Sequence, residues 1–231
     1  WPPAGMLRLV ASAALLLCSV ASHSGGHAAA LTLPARHPLT DADVERLAQS
    51  VAKHLTGADF DEPAGNRLRL SVRADLLFVK GVVNRRSARR VHKALLSAPD
   101  VGAVVLTLVP GSAHDPTNLQ LGLMLRQANY TTYLPSGGLV ASGGTDLLLA
   151  GVLRIVERGA RIGVHSWSDG SATGDTIARE AEAHRIYLDY YRALAIDQEF
   201  YWFTLQAAPA DRVHWMNDSE MTMYSVYTHL R

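Results

Sequence analysis

The stretch Val101–Val109 (VGAVVLTLV) restricts the fold more than any other segment of this chain. Apart from Gly102 and Thr107, every side chain in it is apolar. A strand that offers neither face to water must lie inside a sheet covered on both sides, as parallel sheets in α/β proteins are. Pro110-Gly111-Ser112 stops the run. Its surroundings fit. Leu68, Leu70 and Val72 alternate with polar residues, the mark of a half-exposed strand. Leu76 to Val83 reads as a second strand, broken near Gly81. Ser87 to Ser97 and Thr117 to Ala128 carry helical periodicity, the latter with Asn129 as a left-handed cap. Thr131 to Leu134 reads as a short strand, Leu147 to Val152 as an apolar helix tail and Arg161 to His165 as another strand. One long helix is expected from about Thr176 to Leu194. A further helix carries Phe200, Trp202, Phe203 and Leu205. The tail 209–231 reads as a loop with a short helix. Strands alternating with helices predict an α/β fold with a mainly parallel sheet and packed helices.

The N-terminal stretch has a different character. From Met6 the chain has one basic residue, Arg8, then the apolar run Leu9 to Val20, then small residues ending Ala28-Ala29-Ala30. This is the pattern of a secretory signal peptide, with cleavage expected after Ala30 and a periplasmic or secreted location. Trp1 to Gly5 read as upstream translation or a fragment edge. The alternative is a leader kept as a membrane anchor. Residues 31–66 read as a linker and an N-terminal helix. Thr40 caps that helix, Asp41 and Asp43 suit its dipole, Val44, Leu47, Val51 and Leu55 form its apolar face, and Gly57 ends it. Residues 67–231 read as a single domain.

The one cysteine, Cys18, falls inside the leader. The mature chain therefore has no disulfide, thiolate metal site or cysteine nucleophile. Its histidines are scattered with no H-E-x-x-H pair, so neither a metal nor any other cofactor is called for. A net charge of +1 gives no reason to expect nucleic acid as a partner. The one local basic excess, Arg85, Arg86, Arg89 and Arg90, covers more than one helix face and reads as solvated surface.

Three segments carry candidate chemistry. Val109-Pro110-Gly111-Ser112 is a tight turn after a buried strand, where freed backbone N–H groups can bind an oxyanion. In Gly137-Gly138-Leu139-Val140-Ala141-Ser142-Gly143-Gly144-Thr145-Asp146, a serine sits among small residues at the start of an apolar helix that ends Leu148-Leu149-Ala150-Gly151. Alone, Ser142 reads as a helix cap before it reads as a nucleophile. In Gly159-Ala160-Arg161-Ile162-Gly163-Val164-His165-Ser166-Trp167, a histidine at a strand end can take a proton from a hydroxyl. Asp146 reads as a partner of the helix dipole or of a buried polar group. Tyr187, Tyr190, Tyr191, Tyr201 and Trp202 read as core or subunit packing.

In this order the turn, the A-S-G-G helix start and the G-V-H strand end resemble the Clp-type serine peptidases of the crotonase superfamily. The resemblance runs from about Leu76 to the end. It is nearest to exported, Clp-protease-like bacterial proteins marked by ASGG-D...AG...R...GA..GVHSW. It implies a ClpP/crotonase-like sheet built from ββα units, Ser142 as nucleophile, His165 as base, and an oxyanion hole of Gly111, Ser112 and Gly143. The family's second oxyanion glycine is Ser112 here. The resemblance implies Asp211 as the third triad member, on aligning Asp-Arg; aligning the Trp and Glu instead would put Val213 there, and Asp169 and Asp175 are weaker candidates. The resemblance also implies a homo-oligomer and a peptide or small acyl substrate, with no ATP-driven unfoldase outside the cytoplasm. The expected function is an exported serine hydrolase acting on short or unfolded peptides. Its rivals are a non-catalytic crotonase-fold binding or assembly protein in the periplasm and acyl-CoA chemistry.

Overall fold

The computed structural model describes residues 31–37, 39–62 and 67–231. The leader expected at 1–30 lies outside the described residues. The described residues form an α/β fold whose curled, mixed sheet holds nine strands. In chain order the elements are α1 (Asp41–His54), β1 (Arg69–Arg73), β2 (Leu76–Lys80), α2 (Ser87–Leu96), β3 (Ala103–Val109), α3 (Asp115–Gln127), β4 (Thr131–Leu134), β5 (Leu139–Ala141), α4 (Gly143–Leu149), β6 (Arg154–Val156), β7 (Arg161–Val164), α5 (Arg185–Ala193), α6 (Gln198–Ala207), β8 (His214–Trp215), α7 (Asp218–Met223) and β9 (His229–Leu230).

The apolar run is the centre of the sheet. Alternation sends Val104 and Leu106 into one apolar cluster and Ala103 and Val105 into another, under α1. One edge of β3 pairs with β2 in parallel, and β2 pairs with β1 in an antiparallel hairpin. The other edge is shared. Residues 103–105 pair with β4, whereas Leu108 and Val109 pair with β5. The sheet therefore forks. One branch runs β3-β4-β6-β9, all parallel. The other runs β3-β5-β7, parallel, and then adds β8 antiparallel.

Helix α4 starts against the second branch and ends against the first. A Cβ on Gly144 would lie 1.9 Å from the Val109 carbonyl oxygen, so only glycine allows α4 this close to β3. At its far end Thr132 Oγ1 donates to the Leu148 carbonyl at 2.7 Å and Arg126 donates to that of Leu149 at 2.9 Å. These bonds satisfy carbonyls that a helix end leaves without partners.

Several expected boundaries move for tertiary reasons. Thr40 caps α1 in a capping box with Asp43, but the helix stops at His54 rather than Gly57. Gly57 instead opens a 3-10 turn whose Asp59 is held by Thr56 and Arg73. Helix α3 begins two residues before Thr117, capped by the His114 side chain, and Asn129 adopts the expected left-handed conformation at φ 58°. The long helix expected from 176 to 194 is not formed. Two 3-10 turns, Gly174–Thr176 and Glu182–His184, precede the shorter α5. Ser166 Oγ holds the Asp175 carboxylate at 2.7 Å, and buried His184 is tied through Nδ1 to the Tyr201 hydroxyl at 2.7 Å. Such anchors outweigh a weak helical preference. The two-residue strands β8 and β9 lie in the tail read as a loop.

Replacing Gly144 by alanine should destabilise the fold by ~3 kcal/mol or more, because backbone rather than a movable side chain blocks the new methyl group. Gly57→Ala, where nothing lies within 4 Å, should change stability by less than ~1 kcal/mol. Denaturant unfolding of the two variants checks the contrast.

Candidate active site

Strand register brings the three candidate segments together. Val109 is level with Val140, and Ala141 with Gly163. These strands are parallel, so the Gly111-Ser112 turn, Ser142 and His165 all emerge at the same carboxyl-terminal edge, the usual place for ligands in open α/β sheets. Strand β5 lies between the other two. Ser142 therefore has the turn on one side and the histidine on the other.

The serine sits on a sharp strand-to-helix turn. Its backbone has φ 51° and ψ −126°. A positive φ costs a non-glycine residue of order 1–3 kcal/mol and persists only where the surroundings impose it. Here Ser142 N–H donates to the Gly163 carbonyl at 3.0 Å, and Thr145 Oγ1 donates to the same oxygen at 2.8 Å. Buried Asn118 donates to the Gly143 carbonyl at 2.9 Å. Ser142 occupies the cap position of α4, but its side chain makes no capping hydrogen bond. The hydroxyl is thus left for another partner.

The turn after β3 supplies backbone donors. Val83 bridges it in parallel: Val83 N–H donates to Gly111 at 3.1 Å and Ala113 N–H donates to Val83 at 2.6 Å. A parallel bridge of this pattern turns the N–H of Ser112 itself the other way. A Cβ on Gly143 would lie 2.9 Å from Ser112 N and 2.6 Å from Ser112 Oγ. The ASGG pattern thus has a steric cause at both glycines: Gly143 admits the Ser112 turn and Gly144 admits the Val109 carbonyl. Among the described residues, neither Ser112 N–H nor Gly143 N–H donates to a protein acceptor. Both are donors of the kind that can hold an oxyanion.

Ser142, Gly143 and His165 line one cavity of about 40 Å³. His165 Nδ1 lies 2.6 Å from the Ser166 carbonyl. A carbonyl can only accept, so Nδ1 carries the proton and Nε2 keeps its lone pair. Burial pulls the imidazole pKa below the usual histidine value; the Ser166 contact and the Asp115 charge oppose this without cancelling it. Among the described residues, no hydrogen bond joins Ser142 Oγ to His165.

Asp211 lies elsewhere. It sits on an exposed turn, 3.8 Å from the Arg212 guanidinium, and does not line the cavity. In the β7–β8 pairing Val164 is level with His214, which sets Val213 opposite His165. The Val213 methyl packs where a Cβ on Gly163 would go, at 2.5 Å. Asp169 is folded back on Ser171 and Ala172, and Asp175 on Ser166. No carboxylate is hydrogen-bonded to His165 among the described residues.

Two carboxylates do line the cavity. Asp115, at the start of α3, accepts hydrogen bonds from Ser112 Oγ and, at 2.6 Å, from Tyr187. Asp146 accepts from Tyr191 at 2.5 Å. Burial pushes the Asp146 carboxyl up to about 7; the Tyr191 bond opposes the rise and the Asp115 charge adds to it. Trp167, Tyr187, Tyr191, Tyr201 and Thr204 complete the wall. The aromatic stripes expected as packing therefore also shape the site. Asp115 carried no motif in the sequence, because its proximity depends on α3 turning back beside α4. No cluster of His, Cys, Asp and Glu that could hold a metal ion occurs among the described residues.

No family model and no curated protein matches the chain. Solved structures do. The ClpP protease catalytic domain from Plasmodium falciparum is 18% identical over 68% of this chain and 83% of that one, with a TM-score of 0.45. A membrane-bound stomatin-specific protease is 15% identical over 67% of this chain and 77% of that one, with a TM-score of 0.47. The likeness is distant. The chemistry of this site rests on its own geometry.

The Asp146 shift has a testable sign. The folded protein keeps this proton from about pH 4, where an unfolded aspartate loses it, up to about 7. The stability it contributes is present below that window and falls as pH rises through it. Asp146→Asn keeps an oxygen for Tyr191 and removes the titration, so the variant should gain stability over the parent at pH 8 relative to pH 5. Denaturant melts at the two pH values check this.

Proposed function

We propose that the chain is a serine hydrolase of the Clp-protease/crotonase type, exported and acting on short or unfolded peptides. The observation that carries this reading is the strained turn at Ser142, whose uncapped hydroxyl shares a cavity with His165. In the proposed reaction Ser142 Oγ attacks a carbonyl carbon while His165 Nε2 takes its proton. The negative charge on the carbonyl oxygen meets the N–H groups of Ser112 and Gly143. The leaving group then receives the proton from His165, and water repeats the sequence to release Ser142.

The pair works as a dyad in this reading. The Ser166 carbonyl takes over the orienting task that a triad assigns to a carboxylate. It fixes the tautomer but carries no full charge, so less of the positive charge on imidazolium is balanced there. A homo-oligomer is consistent with the same resemblance. The lack of a Ser142–His165 hydrogen bond favours one rival, a non-catalytic binding protein on the same fold.

A fluorophosphonate probe separates the two. The folded parent should be labelled and Ser142→Ala should not; absence of labelling in the folded parent supports the rival. His165→Ala should slow labelling by roughly 10²–10⁴-fold. Asp211→Ala should label at nearly the parent rate, and a large loss there would contradict the dyad. The labelling rate should rise with pH through an inflection below the usual histidine value.

A further inference from the structure

A second cavity, of about 410 Å³, lies on the β1–β2 hairpin beside the 58–61 segment. Most of its strand residues share one face for a simple reason. In the antiparallel register Arg69 faces Lys80, Ser71 faces Phe78 and Arg73 faces Leu76. Side chains alternate along each strand, so Arg69, Ser71 and Arg73 project on the same side as Phe78 and Lys80. Arg67 and Arg90 also line the cavity.

Charge in this cleft is lopsided. It holds five cationic residues and one carboxylate, Asp59. Asp59 is taken by Arg73 in a two-pronged pair at 2.6 and 2.7 Å, and Arg73 also lies over the Phe78 ring at 4.4 Å. Burial alone would raise the Asp59 pKa, but the bonds from Arg73 and Thr56 hold it below the usual range, so this pair is charged and self-satisfied. Lys80 and Arg90 are held differently. Lys80 donates to the carbonyls of Ala58 and Asp61, and Arg90 to that of Leu68. Arg67, Lys80 and Arg90 make no ion pair among the described residues. Carbonyl contacts orient Lys80 and Arg90 without neutralising them.

We infer that this cleft binds a small anion with at least two negative groups, of the phosphate-ester kind. The volume suits a small molecule. Arginine forks match phosphate oxygens two at a time, and cations arriving from both strands and from α2 suit charge at more than one end. The cleft is separate from the Ser142 cavity, and binding there is independent of the proposed hydrolysis. The phosphate groups could belong to a free metabolite or to a lipid headgroup; the inference commits to the free molecule.

Calorimetric titration of the full chain with inorganic pyrophosphate tests it, at fixed ionic strength and with acetate as a singly charged control. Saturable binding of pyrophosphate and not of acetate is expected. Arg67→Ala/Arg90→Ala should weaken it roughly tenfold or more, and Arg67→Lys/Arg90→Lys should retain most of it. Arg158→Ala/Arg212→Ala removes the same charge elsewhere and should leave it unchanged. No binding by the parent, or an equal loss in the Arg158/Arg212 pair, overturns the inference. So does binding to phosphatidylglycerol vesicles that depends on Arg67 and Arg90 while pyrophosphate fails to bind.

Discussion

The parallel register of β3, β5 and β7 is the constraint on which the rest depends. Once Val109 is level with Val140 and Ala141 with Gly163, three loops distant in sequence must leave the sheet side by side. Nothing in the individual loops could bring them together. The register is in turn secured by burial. Val109, Val140, Ile162 and Val164 are all enclosed in one apolar cluster, so a one-residue slip would turn each of them to the wrong face. The chemistry of the edge is therefore an outcome of packing deep in the sheet.

At that edge, tight packing and backbone strain are two aspects of one arrangement. Helix α4 presses so close to β3 and to the Ser112 turn that only glycines fit at 143 and 144. The chain must then turn sharply at Ser142. The Gly163 carbonyl holds the turn from the side of β7, and Asn118 holds it from α3. The hydroxyl cannot relax into the capping bond that a serine at a helix start usually makes. A cap would stabilise the helix but occupy the hydroxyl.

Much of this was legible in the sequence because it comes from short, strongly constrained patterns. The nearly all-apolar Val101–Val109 run announced a strand covered on both faces, and the glycines around Ser142 announced close approach. The forked sheet was not legible, because hydrophobic alternation shows that a strand is buried and not which neighbour it pairs with. Asp115 was missed for a similar reason: a carboxylate at a helix start is ordinary until the fold sets it against Ser112 and Tyr187. Asp211 was chosen on a dipeptide match. The β7–β8 register instead leaves it on an exposed turn, with Val213 opposite His165. The helix expected over 176–194 does not form where distant side chains intervene: Ser166 holds Asp175 just ahead of it, and Tyr201 holds His184 within it.

The fork in the sheet bears on how the molecule reaches its native state. Along the chain the strands switch repeatedly between the two branches: β4 goes to one, β5 to the other, β6 back to the first, β7 and β8 to the second, and β9, at residues 229–230, to the first again. Neither branch is a contiguous stretch that could close early as a local unit. Most pairings join segments separated by intervening helices, and chains of such high contact order search slowly, because loop entropy is lost before long-range contacts compensate for it. Ribosomal synthesis would deliver the last partner of β6 only after α5, α6 and α7 have been made. Assembly is thereby weighted toward a late, concerted step in which both halves of the sheet close around α4 together.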